Sequence, residues 1–401
     1  MIKNGKVAKD FVYTSSALIL INIVLQLLIY PLINNKYGPD FLGNIVSQTG
    51  IVYALCASTG GAISNEKLLI RKKYEKTNND FNIIIFCFCV ILFAALFVYS
   101  IISIKVLSSA FLLSLVGCLV FLRYYSEVQF RLDKNFKGYL LYYIIVSIGY
   151  IIGYFLFIVT GIWYLIFIVG ESLAVLYVLI KGNIYKLEKS SSHLIEIFKL
   201  VIVLAGSYLL GAFAVHYYKI FLNFCIDSTA VTVYYVGSFF GKSLDLVITP
   251  ITTLIISYLT AASHTKKIDF SSKKSLLIIG LVGVVLYVGF VVATPIYSYI
   301  FYNNLYAEVW NINFVVNIAQ TFSAISSILI VLLLVEFGAK THFIVQSIYV
   351  ITYVVFSSLL ALKFGIMGFA IGASIGFITK FILIIFVSKK SKTKKEKVCT
   401  K

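Results

Sequence analysis

Charged side chains inside an apolar run are costly in hydrocarbon, so they are the first candidates for chemistry in this chain. Lys242 and Asp245 stand three residues apart in the apolar run Ser228–Ala262, a spacing that places them on one helical face. That face continues through Tyr235, Ser238, Lys242, Asp245, Thr249 and Thr252, at alternating steps of three and four. Pro250 in the same run removes a backbone donor and predicts a kink. A stripe of this kind suits the wall of a hydrated path in which Lys242 meets an anion. It suits equally an ion pair that joins two helices, and the sequence leaves both readings open.

Two more stripes accompany it. One runs through Asn313, Asn317, Gln320, Ala324 and Ser327, the other through Ser15, Asn22, Gln26 and Tyr30. Interhelical hydrogen bonding accounts for any one of these residues alone, whereas three stripes in one chain favour an aqueous path. Glu171, beside Gly170 in another apolar run, reads as a proton- or Na⁺-coupling carboxylate or as a neutral acid bonded to a neighbouring helix. His216 and Lys219 lie near the end of a run, where they either meet a phosphate or snorkel to the interface; snorkelling is the simpler reading. Arg123 and Glu127 close another run and are expected to form a surface pair.

Other chemistries find no support. The four histidines, His193, His216, His264 and His342, have no acidic or cysteine partner at metal-ligand spacing, so no metal or other cofactor is implied. There is no phosphate-binding glycine loop and no Gly-x-Ser-x-Gly. The acids Asp40, Asp227 and Glu308 are each isolated, whereas a glycan polymerase or ligase would need catalytic groups of that kind grouped in an ordered loop. The expectation is a protein that is not an enzyme.

The elements that must position these residues follow from composition. The chain is 60% hydrophobic and 12% charged, against about 25% charged in a soluble domain. Its solvent must be lipid. Apolar runs of about 20 residues, the length a bilayer core demands, occur at Phe11–Asn34, Leu42–Ser64, Phe81–Ile104, Val106–Tyr125, Gly138–Thr160, Ile162–Ile180, Ile197–Tyr217, Ser228–Ala262, Ser275–Tyr299, Leu305–Glu336, Phe343–Lys363 and Gly365–Ser388. Each is expected to be a helix, the element that satisfies its own backbone in hydrocarbon. The overlong eighth and tenth runs must tilt, kink or project.

Basic residues fix the orientation. Of the 34 Lys and Arg, Lys36, Lys105, Lys219 and Lys363 fall on one side, Lys242 and Lys380 lie within spans, and all the others fall on the opposite side. By the positive-inside rule both termini are cytoplasmic. The net charge of +18 is therefore a topology signal that meets anionic membrane lipids, and no nucleic acid is needed to explain it. The basic segment 389–401 reads as a cytoplasmic anchor. The first run is too long for a signal sequence and contains Asn22 and Gln26, so it reads as an uncleaved span. Cys56, Cys87, Cys89, Cys118, Cys225 and Cys399 include no Cys-x-x-Cys and read as small apolar residues without a disulfide framework. Many of the 29 tyrosines mark span ends, as an interfacial belt requires.

Three segments resemble a known family. Tyr30-Pro31-Leu32-Ile33-Asn34-Asn35-Lys36-Tyr37-Gly38-Pro39-Asp40-Phe41-Leu42-Gly43 is similar to the first loop of polysaccharide flippases. Lys219-Ile220-Phe221-Leu222-Asn223, followed by Tyr234-Tyr235 and Pro250, resembles the segment joining their seventh and eighth spans. Phe364-Gly365-Ile366-Met367-Gly368-Phe369-Ala370-Ile371-Gly372 resembles the turn into their last span. The family is the polysaccharide transporter (Wzx-type O-antigen and capsule repeat-unit flippase) branch of the multidrug/oligosaccharidyl-lipid/polysaccharide exporter superfamily. Two departures stand out: Tyr218 precedes Lys219 where an acid is frequent, and the chain has three arginines, all near cytoplasmic span ends.

The resemblance implies an all-α polytopic membrane protein of about twelve spans, in two six-helix lobes around a central cavity. The lobes would be residues 1–190 and 191–388, followed by the tail 389–401. Its implied place is the bacterial cytoplasmic membrane. Its implied task is translocation of undecaprenyl-pyrophosphate-linked oligosaccharide by alternating access, with a polysaccharide polymerase of the same pathway as an implied partner. Lys242 would then grip pyrophosphate, supported by Lys219 and Lys380. His216, Asp245, Asn22, Gln26, Asn317 and Gln320 would line the path, with Glu171 as coupling group. An ion-coupled multidrug exporter of the same superfamily, or a membrane polymerase or ligase, is the alternative.

Overall fold

The computed structural model describes residues 4–70, 74, 77–187, 193–245, 248 and 272–399, and the described residues contain helices and no strand. Among the described residues, ten helices are long and apolar enough to cross a membrane: Lys9–Tyr37, Pro39–Ile70, Asn78–Ile104, Leu107–Leu132, Phe136–Thr160, Tyr164–Lys181, Leu194–Cys225, Lys273–Phe301, Asn303–Leu334 and Thr341–Lys389. The eighth predicted span is described from Ser228, where helix begins, through residue 245 and at 248.

Local sequence sets the helix starts. Asn135 and Asp227 accept hydrogen bonds from the backbone N–H of Gly138 and Ala230, which caps the fifth and eighth spans. Ser272 does the same for Ser275 at the ninth. Pro39 follows Gly38, whose φ of +87° turns the chain between the first two spans.

The 49-residue helix Thr341–Lys389 is two spans. Gly365 has φ +59°, and beyond it the chain returns on itself. A Cβ on Gly368 would strike Leu360, one on Gly372 would strike Ser357, and one on Gly376 would strike Tyr353. A straight helix would hold each of these pairs two or more turns apart. The last span also runs parallel to the tenth: Ser374 donates to the Val315 carbonyl at 3.0 Å, and Phe381 packs edge-on to Phe322. The eleventh therefore runs antiparallel to the tenth, and the chain reverses between them. With the eighth span, the count reaches the twelve predicted from the apolar runs.

The chain divides into two compact units, Met1–Leu32 with Ile45–Ile220, and Ile33–Asn44 with Phe221–Lys401. The 190/191 boundary drawn from the sequence falls inside the first of these, since most of the seventh span belongs to it. In the first unit the fifth span packs against the first and the sixth, and the fourth against the second, third and sixth. The fifth and sixth approach closely at Gly149 and Gly170, where a Cβ on Gly149 would lie 2.5 Å from the Gly170 Cα. That approach brings Glu171 against the fifth span. In the second unit the eighth and ninth spans pack on the tenth-to-twelfth assembly.

Candidate functional site

The first unit holds a buried charge cluster. Arg123, 1% exposed, points its Nε at the Glu171 Oε2 across 2.5 Å, and its Nη1 lies 3.4 Å from the Glu127 Oε1. The surface pair expected from the sequence is thus corrected. The fourth span continues past Tyr125 to Leu132, so Arg123 lies within it, and the tyrosine-rich fifth span covers the guanidinium. Arg123 also donates to the Tyr143 hydroxyl at 3.1 Å and lies 4.1 Å from the Tyr124 ring centroid.

Phenols from the fifth span satisfy both acids. Tyr150 donates to the Glu171 Oε1 at 2.5 Å. Tyr143 donates to the Glu127 Oε1 at 2.6 Å, and Tyr139 to its Oε2 at 3.2 Å. Two carboxylates facing one guanidinium leave one excess negative charge when both are ionised, and the three hydroxyl donors solvate it in place of water. Glu171 therefore stands in an ion pair. Tyr53 continues the cluster, edge-on to Tyr124 and stacked on His216 at 6.4 Å between centroids. The Lys219 stem crosses Gly50 so closely that a Cβ there would lie 2.5 Å from its Cδ.

In the first span, Gln26 donates to the Asn22 Oδ1 at 2.7 Å, and Asn22 donates to the Leu18 carbonyl at 2.8 Å. The backbone from Ile23 to Ile29 is a π-helix, as is Tyr53–Ala57 in the second span. Sequence reading found neither. An extra residue per turn leaves the hydrophobic pattern almost unchanged, and a polar residue such as Gln26 within the run is the one available signal.

Among its described residues, the second unit groups two lysines with one aspartate. The Asp245 carboxylate lies within electrostatic reach of two ammonium groups, those of Lys380 in the twelfth span and Lys242 in its own helix. Each lysine also faces an aromatic ring: the Lys242 Nζ lies 5.2 Å from the Tyr234 centroid, the Lys380 Nζ 4.9 Å from that of Tyr349. Lys380 is 7% exposed. The cluster thus sets two lysines against one aspartate. Thr249, Pro250 and Thr252 lie outside the described residues.

The tenth-span stripe faces the ninth span. Pro295 has no N–H to give the Val291 carbonyl one turn earlier, and Asn313 donates to that oxygen at 3.0 Å. Asn317 bonds the Thr294 Oγ1 at 3.3 Å and the Asn313 Oδ1 at 2.7 Å. Gln320 packs on Gly241 of the eighth span. For Asn313 and Asn317 these bonds are the interhelical role. Among the described residues no group of His, Cys, Asp and Glu is arranged to hold a metal ion.

No family model matches the chain, and no curated protein matches it in sequence. Solved structures do match. The lipid II flippase MurJ in an inward closed conformation superposes with TM-score 0.72 at 17% identity, covering 94% of this chain and 87% of that one. An inward-facing multidrug resistance MATE family transporter of the MOP superfamily gives 0.65 at 13% identity, covering 97% and 96%. A MOP superfamily transporter from Pyrococcus furiosus, described as having a binding pocket of reversed polarity, gives 0.63 at 14%, covering 96% and 95%. The chain is an all-helical multi-pass membrane protein with the fold shared by these flippases and transporters.

Proposed function

We propose that the protein moves an undecaprenyl-pyrophosphate-linked oligosaccharide across the bacterial cytoplasmic membrane, for export of surface polysaccharide. The observation that carries this reading is the intramembrane Lys242–Asp245–Lys380 cluster in a chain with the fold of a lipid II flippase. Two ammonium groups grouped inside a membrane suit an anion, and a diphosphate headgroup is the anion such a lipid presents. Lys219 and His216 supply further cationic or donor capacity in the first unit. Glu171 is the coupling candidate, through exchange of its Arg123 partner. Alternating access of a site near the membrane midplane would carry the head across while the polyprenyl tail stays in lipid.

Deletion of the protein should strand lipid-linked repeat units on the cytoplasmic leaflet, where a membrane-impermeant glycan-modifying enzyme added outside spheroplasts cannot reach them. Unchanged surface glycan in the deletion would sink the reading. The second reading is a drug exporter, favoured by the MATE structures that share the fold. It predicts sensitivity to cationic drugs with surface glycan intact.

A further inference from the structure

The five cysteines whose side chains are described, Cys56, Cys87, Cys89, Cys118 and Cys225, are free thiols. Two of them meet across an interface. Cys118 in the fourth span reaches the third and donates to the Cys89 carbonyl oxygen at 3.4 Å. A side chain as short as cysteine touches the opposite backbone only where two helices are close. Gly117 allows it: a Cβ there would collide with Leu96 of the third span and lie 3.2 Å from the Cys56 Sγ of the second. A disulfide asks for Cα atoms about 4.4–6.8 Å apart, a spacing reached only where two helices pack as closely as this contact shows.

The surroundings define what reaches the pair. Cys89 and Cys118 are both half-buried. Nearby Phe86, Val90 and Phe111 are more than half exposed, and on membrane spans such apolar faces meet lipid. Cys87 is exposed and lies outside the contact.

We propose that Cys89 and Cys118 are an oxidisable dithiol within the membrane, bridged by a lipid-soluble two-electron oxidant of the quinone class. Each thiol gives up its hydrogen and one S–S bond forms. The two electrons and two protons pass to the quinone, which leaves as the quinol. The bridge staples the third span to the fourth within the first unit, and a dithiol reductant reverses it. This site is independent of the charge clusters and of the proposed transport activity.

The test uses the full chain in native membranes, treated with a short-chain benzoquinone, denatured, and alkylated with a mass-tagged maleimide. Reactive thiols should fall from the six in the sequence to four and return to six after dithiothreitol. Peptide mapping should find Cys89 joined to Cys118. Cys118→Ser should abolish the loss, and Cys87→Ser should leave it intact. No dithiothreitol-reversible loss, a loss that survives Cys118→Ser, or a bridge to Cys56 would each overturn the proposal. Phenylarsine oxide, which spans paired thiols without oxidation, tests the unsubstituted chain: it should shield Cys89 and Cys118, and shielding of neither would also overturn it.

Discussion

Arg123 and Glu171 join the fourth and sixth spans through a 2.5 Å ion pair that is closed to solvent on both sides. Neither charge has water to return to when its partner is removed, so breaking a buried pair is far more costly than replacing it with apolar groups. Glu171→Leu alone should destabilise the protein by about 3–5 kcal/mol, read as a lower thermal midpoint in detergent. Arg123→Met with Glu171→Leu should recover most of the loss, because Glu127 keeps its bonds from Tyr139 and Tyr143. A double variant as unstable as the single one would show that the pair does not act as a unit.

A second coupling concerns a proline. Asn313 donates to the Val291 carbonyl that Pro295 leaves open. Asn313→Leu should cost about 1 kcal/mol, the scale of interhelical hydrogen bonds in membranes. In a Pro295→Ala background the helix supplies its own donor, and the same change should cost much less. Equal costs in both backgrounds, measured as a double-mutant cycle, would show that the asparagine does not serve the proline's gap.

The twelve spans were legible because lipid imposes a length and a hydrophobicity on every one, and because Lys and Arg sort by side. The last turn was legible too, in the Gly365-Ile366-Met367-Gly368 segment. The partners of the charged residues were not. Arg123 sits at the end of an apolar run beside Tyr124 and Tyr125, which reads as an interface, and nothing local says that Glu171 or Tyr143 will cover it. Asp245 has Lys242 one turn away on its own helix, so sequence spacing pairs the two. Lys380 enters only when the twelfth span folds against the eighth. Periodicity reveals which face of a helix is polar, and tertiary packing decides what that face meets.

The reversal at Gly365 yields a local test. A left-handed backbone costs an ordinary residue about 1–2 kcal/mol, so Gly365→Ala should lower stability by that amount. Gly61, helical and with open space where a Cβ would sit, should accept alanine with no loss. Comparable midpoints for the two variants would place the chain reversal elsewhere.

The dilysine cluster separates folding from transport. Lys242→Gln leaves Asp245 with Lys380 still in electrostatic reach, so this variant should express at normal levels. Lys242→Gln with Lys380→Gln strands the aspartate in a low-dielectric site and should reduce the amount of folded protein. Adding Asp245→Asn removes the stranded charge and should restore folded protein. If the lysines grip an anionic headgroup, that triple variant is present in the membrane and still fails to export glycan. Full export by the triple variant, measured as surface polysaccharide against the unsubstituted protein, would reduce the cluster to a helix-joining ion pair and remove the main support for an anionic substrate.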